Sequence, residues 1–266
     1  MINPLKLGDY ILVSEYHSKD NTYILMSMNY KIIQDEDAVK DFIKWLPDLK
    51  DNEIYYLSLF ARRKYCPDLI KSNNKEQLRR FTATKENMLD KIRQLEIPLG
   101  CWKSGQTQAP QEALALYIMP NPRCMKKANE MMGKKCWDLT KSNNFNLHKE
   151  AMSCIQQSES YSHVVDFDID TKDIDLTKLH DIFRTIETLP PCFEILETKG
   201  GYHILVYPRL ATSYAENYKT DTSEEKYPIK WYKAMQETFP IDRSTHQLLP
   251  FAGCCQGGFI PKFITV

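Results

Sequence analysis

Ser162-His163-Val164-Val165-Asp166-Phe167-Asp168-Ile169-Asp170 opens the part of the chain whose order is most legible. Side chains alternate along an extended strand, so Asp166 and Asp168 project from one face and Val165, Phe167 and Ile169 from the other. Apolar residues on both sides of Asp166 predict a central strand. The segment that follows places Leu176, Leu179, Phe183 and Ile186 on one helical face. CFEILET (192–198), a turn at Lys199-Gly200-Gly201 and YHILVYP (202–208) then read as a hairpin, with the glycine pair expected to supply unusual backbone angles. After the polar stretch 217–228 come a helix, IKWYKAMQETF (229–239), and a last strand within IDRSTHQLLPF (241–251). This order is β-α-β-β-α-β, the split arrangement of ferredoxin-like and RNA-recognition-motif folds.

Working back toward the N-terminus, LHKEAMSCIQQS (147–158) reads as a helix leading into this unit, and the polar run Leu139–Asn146 as a linker. The earlier chain is mixed α/β. NTYILMSMNYKII (21–33) looks extended, DEDAVKDFIKWL (35–46) has helical spacing, and EIYYLSLFARRKY (53–65) is a strand ending in a basic cluster. KENMLDKIRQLEI (85–97) is amphipathic through Met88, Ile92 and Leu95, and ALALYIM (113–119) is a short apolar strand. In NPRCMKKANEMMG (121–133), Asn121 suits an N-cap, Pro122 the first helical position and Gly133 the stop. Arg123 then falls in the first turn, where the helix dipole disfavours a cation, so it serves either a ligand or a neighbouring carboxylate. The expected class is α+β: an N-terminal α/β lobe over 1–143 with a basic, nucleic-acid-facing segment, and an RNA-recognition-motif-like palm over 144–266 that together form one core.

With 266 residues, 42% of them hydrophobic, and only nine glycines, the chain can bury a real core, which excludes disordered and collagen-like classes. No window approaches the roughly 18 apolar residues of a membrane span, and INPLKLGDY after Met1 has no basic leader, so a soluble, cytoplasmic protein is expected. The eight cysteines include no C-x-x-C pair, which signals neither a zinc knuckle nor a disulfide scaffold; most are expected to be buried thiols. Net charge is zero, yet Ala61–Lys141 carries 17 Lys/Arg against 8 Asp/Glu, leaving 18 against 27 elsewhere. A basic middle segment thus accompanies an acidic remainder, as a nucleic-acid track or as a solvated mixed-charge surface.

Two carboxylates less than one strand repeat apart repel each other unless a cation lies between them. Carboxylate oxygens suit Mg²⁺ and Mn²⁺, and paired ions stabilise attacking and leaving oxygens in phosphoryl transfer. Asp166 and Asp168 are therefore candidate metal ligands, or else an acidic strand end facing solvent. Asp170 shares their phase but sits where a cap or turn residue belongs. His203, after Gly-Gly, is a candidate phosphate contact with Lys199 adding charge, or a histidine satisfied within a core. Asp242, in PID, is an isolated acid after the second helix of the split unit.

Taken in order, VVDFDID, GGYHILV and PID resemble the hydrophobic-D-hydrophobic-D, small-x-H and hydrophobic-D motifs of the archaeo-eukaryotic primase superfamily, which includes primase-polymerases. The resemblance covers roughly 164–263; where relatives often carry Pro-Gly-Thr, this chain has Phe251-Ala252-Gly253-Cys254. It implies that Asp166, Asp168 and Asp242 are catalytic and hold Mg²⁺ or Mn²⁺, that His203 binds the phosphates of an incoming NTP or dNTP, and that the core pairs an α/β module with an RNA-recognition-like palm. Arg123 is similar to a recurring strand-plus-NPR feature of plasmid and phage relatives, which places it with the nucleotide.

The expected activity is that of a DNA primase or polymerase, a nucleotidyltransferase acting on a single-stranded DNA template. Arg62, Arg63, Lys64, Arg79 and Arg80 would track the template backbone. Starting chains calls for an accessory priming module or helicase partner, and the sequence contains neither a zinc ribbon nor a helicase region. The end at FITV soon after the third motif fits a catalytic core within a longer protein. Two rival readings remain: a non-catalytic sheet stacking single strands on Phe167, Phe193, Tyr202 and Tyr207, and another metal-dependent phosphotransfer enzyme such as a nuclease.

Overall fold

The computed structural model describes residues 28–67, 75–139, 146–183, 191–211, 230–241 and 248–266. Within them the chain is mixed α+β with antiparallel sheets. The first lobe runs α1 (Glu36–Trp45), β1 (Glu53–Arg62), a 3₁₀ turn at Arg63–Tyr65, β2 (Lys75–Ala83) and α2 (Lys85–Arg93). The short pair β3 (Lys103–Ser104) and β4 (Thr107–Gln108) precedes β5 (Leu114–Ile118), β6 (Arg123–Cys124) and α3 (Met125–Leu139). Next come α4 (Leu147–Gln157), β7 (Val165–Ile169), α5 (Lys178–Phe183), β8 (Phe193–Glu197), β9 (Tyr202–Val206), α6 (Lys230–Thr238), β10 (Leu249–Pro250) and β11 (Lys262–Ile264).

Local rules account for most of these elements. Asp35 caps α1 by accepting from the Ala38 N–H at 3.0 Å. Of the three residues expected to share one face, Met88 and Ile92 lie in α2 and Leu95 just beyond its end, and all three are buried. α1 and α2 bury this apolar side against β1, whose Tyr55, Leu57, Leu59 and Ala61 lie in the same core. The opposite side of β1 carries Tyr56, Ser58, Phe60 and Arg62, so the strand is buried on both faces.

One sheet orders β10-β5-β1-β2, with β6 pairing the start of β1; the other orders β11-β8-β9-β7. β7 and β8 are each antiparallel to β9, which separates them, so β7-α5-β8 is a split β-α-β crossover. Phe167, Ile169, Ile195, Ile204 and Val206 turn to α5 and α6 and form the second core with Leu179, Phe183, Trp231 and Met235.

Several expectations are corrected. The described residues of the last strand expected within 241–251 do not join the second sheet. Leu249 and Pro250 pair with Ile118 and Tyr117 of the first, and the second sheet is closed by Lys262–Ile264 beside β8. β7 is accordingly an edge strand among the described residues, not a central one. α4, which follows the boundary expected at 143/144, packs Met152 on Tyr56 and Met119 of the first lobe. Gly133, read as a helix stop, is exposed inside α3, where glycine costs only about 1 kcal/mol. Most of the proposed linker, and Ile186, lie outside the described residues. No helix among the described residues is long and apolar enough to cross a membrane.

Candidate active site

The acids and the histidine are brought together by strand register. β7 and β9 align Asp168 with His203 and Asp166 with Leu205, so all four project from one face of the second sheet. Leu196 and Leu205 on this same face pack into the first core, so it is the face applied to the first lobe. Asp166 and Asp168 sit at its edge, with side chains 10% and 25% exposed.

His203 stands between the two carboxylates. Its Nδ1 donates to Asp166 at 2.8 Å, and its Nε2 lies 3.5 Å from an Asp168 oxygen. Burial presses the imidazole toward its neutral form. The charge and hydrogen bond of Asp166, with Asp168 and Asp170 behind it, outweigh that effect and raise its pKa above the ordinary value. The expected repulsion between paired acids is thus met, in part, by an imidazole from the neighbouring strand whose charged form they favour. Two carboxylates against one imidazole, charged or neutral, leave net negative charge in a largely enclosed place.

Two further residues hold this arrangement. The Asn121 side chain accepts from the backbone N–H groups of His163 and Val164 at 2.8 and 3.0 Å and donates to the Val164 carbonyl at 2.9 Å. It thereby fixes the start of β7 to the first lobe, not the start of a helix. Gly201 fixes the other end. A Cβ there would lie 1.8 Å from the Ile169 carbonyl oxygen and 2.7 Å from the Thr171 nitrogen. The glycine is needed because β7 passes directly over it, and neither Gly200 nor Gly201 uses the positive φ expected of the turn. Thr198 closes that turn instead, bonding the Gly201 N–H and carbonyl.

Lys199 and Lys64 stand at the end of the acid strand. The Lys199 ammonium donates to the Gly257 carbonyl, and its backbone N–H to Gln256 Oε1 at 2.8 Å. Lys64, from the first lobe, lies 3.8 Å from Asp170. Glu194 shares the acid-bearing face two strands from Asp166, and burial raises its pKa. Strand alternation from Leu196 could have placed it there, but nothing in its own sequence surroundings singled it out.

Other candidates are placed elsewhere. Arg123 is in β6, not in a helical first turn, and is 2% exposed. Its guanidinium donates to the carbonyls of Asn121 and Gln156 and to Glu159, at 3.0, 3.1 and 3.2 Å. This commits it to the scaffold instead of a nucleotide. Arg63 and Arg79 are exposed, Arg80 donates to Ser153 of α4 at 3.2 Å, and Arg62 is buried. Asp242 lies outside the described residues.

Among the described residues no group of three or more His, Cys, Asp and Glu side chains is arranged to hold a metal ion. All eight cysteines are free, and four of them, Cys154, Cys192, Cys254 and Cys255, are buried, fewer than expected. Of the aromatics named for a stacking sheet, Phe167 and Phe193 are 2% and 7% exposed in the second core, Tyr202 is half-buried against that core, and half-buried Tyr207 accepts from Trp45 Nε1 at 2.6 Å.

No family model, curated protein or solved structure matches this chain. The functional reading therefore rests on the site and on the order of its motifs.

Proposed function

We propose that the chain is a metal-dependent, template-directed nucleotidyltransferase, a DNA primase or primase-polymerase, that starts or extends chains on single-stranded DNA. The observation that carries this reading is the trio Asp166–His203–Asp168 on the face of the second sheet applied to the first lobe, with Lys199 and Lys64 at the end of the same strands. In this reading the second sheet with α5 and α6 is the RNA-recognition-like palm, supported by the split crossover of β7, α5 and β8 around β9.

Mg²⁺ or Mn²⁺ fits the donor set, since two hard carboxylates retain net negative charge beside a single imidazole. Asp166 and Asp168 would hold it, and the motif order adds Asp242. Bound there, such an ion supplies Lewis-acid polarisation and charge neutralisation for phosphoryl transfer. The primer 3′-hydroxyl oxygen attacks the α-phosphorus, the bond to the bridging oxygen breaks and pyrophosphate leaves. The protein's part is positioning and electrostatics. Asp166 orients His203 through Nδ1 and stabilises its charged form, which gives the triphosphate a cationic donor. Lys199 adds a second positive charge from the hairpin. Arg63, Arg79 and Arg80 would follow the template strand, an electrostatic contact that needs no base reading.

The test is primer extension on a single-stranded template with Mg²⁺ or Mn²⁺ and labelled NTPs or dNTPs. Incorporation should fall at least about a thousandfold in Asp166→Ala plus Asp168→Ala, by analogy with loss of other transition-state electrostatic groups. Unchanged incorporation in the double variant would sink the reading, and template shortened instead of primer lengthened would replace it with a nuclease. An unprimed arm of the same assay separates chain initiation from extension.

A further inference from the structure

Three cations surround one phenol ring where the lobes meet. Arg62 Cζ, Lys64 Nζ and Lys199 Nζ lie 5.8, 5.6 and 4.7 Å from the centre of the Tyr65 ring. A cation–π contact contributes about 0.5–2 kcal/mol, too little to account for gathering three like charges. Among the described residues these charges are neutralised only slightly: the carboxylate within ion-pair reach is Asp170, 3.8 Å from Lys64 and itself exposed. Lys199 is met by a carbonyl, that of Gly257.

Arg62 is the least compensated. It is 9% exposed, donates through Nη1 to the Tyr117 hydroxyl at 2.7 Å, and forms no ion pair among the described residues. Its Nε is buried without a hydrogen-bond partner among those residues. Burial pushes the Tyr117 phenol upward, so Tyr117 stays neutral and offers the guanidinium no counter-charge. A buried guanidinium left this way is costly unless an anion completes it.

We propose that Arg62, Lys64 and Lys199 form a polyphosphate site joining the two lobes, one that takes the anionic tail of a nucleoside triphosphate or free pyrophosphate. The proposal rests on reading this cleft as a nucleotide site, and it moves Arg62 and Lys64 from the template track to the small molecule. Its position supports that class of ligand. Asp170, beside Lys64, lies two residues beyond Asp168, just past the end of β7 and roughly 7 Å further along the chain. A recessed guanidinium is reached by a compact terminal phosphate and can grip it with its planar fork, whereas a passing nucleic-acid backbone favours exposed cations. Because Lys199 belongs to the second sheet and Arg62 and Lys64 to the first lobe, an occupant of this site ties the lobes together.

The experiment titrates the full chain with inorganic tripolyphosphate in EDTA by calorimetry, alongside a labelled single-stranded oligonucleotide. Wild type should bind tripolyphosphate without metal. Arg62→Gln should weaken that binding by at least about tenfold and leave oligonucleotide affinity within about twofold, while Arg79→Gln should do the reverse. Lys64→Gln and Lys199→Gln alter exposed side chains and leave the core intact, so they carry the test if Arg62→Gln fails to fold; each should weaken binding by about threefold or more. No tripolyphosphate binding, equal affinity in all three variants, or an Arg62→Gln loss confined to the oligonucleotide would overturn the site. Tripolyphosphate binding needs no catalysis, so its dependence on Arg62 would survive an absence of nucleotide incorporation. Conversely, incorporation with an unchanged nucleotide KM in the Arg62 and Lys64 variants removes this site and leaves the nucleotidyltransferase standing.

Discussion

Arg62 and Arg123 stand on strands that pair with each other, β1 and β6, and both are buried, but their guanidinium groups meet opposite fates. Every nitrogen of Arg123 has an acceptor, two carbonyls and the Glu159 carboxylate, within its own chain. Arg62 has, among the described residues, one hydroxyl and a buried Nε with no partner. A charge whose every nitrogen is hydrogen-bonded within the chain serves the scaffold. A buried charge that is not so bonded lowers stability in the free protein and gains most from a ligand.

The largest effect that tests this contrast is Arg123→Met. It strands Glu159 and two carbonyls and should lower unfolding free energy by about 3 kcal/mol in urea titration, while the molecules that remain folded bind tripolyphosphate normally. Gly201→Ala should come next, with a loss of about 2 kcal/mol or more, because its Cβ collides with the β7 backbone and no side chain can move aside. Displacement of β7 against His203 should reduce nucleotide incorporation along with melting temperature.

Arg62→Met should act in the other direction, leaving stability within about 1 kcal/mol of wild type or above it, since an uncompensated charge is replaced by a thioether of similar reach. A loss as large as that of Arg123→Met would erase the distinction between the two arginines. The smallest expected effect belongs to Glu194→Gln. Burial raises the Glu194 pKa, so the folded chain holds this proton more tightly than the unfolded one. That stabilisation is complete below the ordinary glutamate range and is lost as pH rises through the raised value. The amide removes the loss: the melting temperature should rise by about 2 °C at about pH 8 and be unchanged at about pH 4.

Much of the secondary structure was legible because periodicity is a local property. α1, α2 and α4, and strands β1, β5, β7, β8 and β9, fall within the segments read as helix or strand. Asn121 shows where locality fails. Asn-Pro before a polar-apolar run carries all the marks of a helix start, yet its amide bonds with the Val164 backbone, 43 residues away. The Gly-Gly pair was expected to serve a turn, and Gly201 serves a strand crossing instead. The segment 241–251 was assigned by its order in the split unit, but a two-residue strand such as Leu249–Pro250 carries no signal that says which sheet it joins.

Alternation along SHVVDFDID determined, from the chain alone, that Asp166 and Asp168 share a face and that Phe167 and Ile169 do not. The tertiary structure decided what meets them. The β7–β9 register placed His203 between the two carboxylates, and the packing of the lobes set Lys64 and Arg62 beside Lys199. The side-chain period of a strand is set by its own backbone. Register and lobe contact are set by hydrogen bonds and burial between segments more than 30 residues apart, and no local pattern reports them.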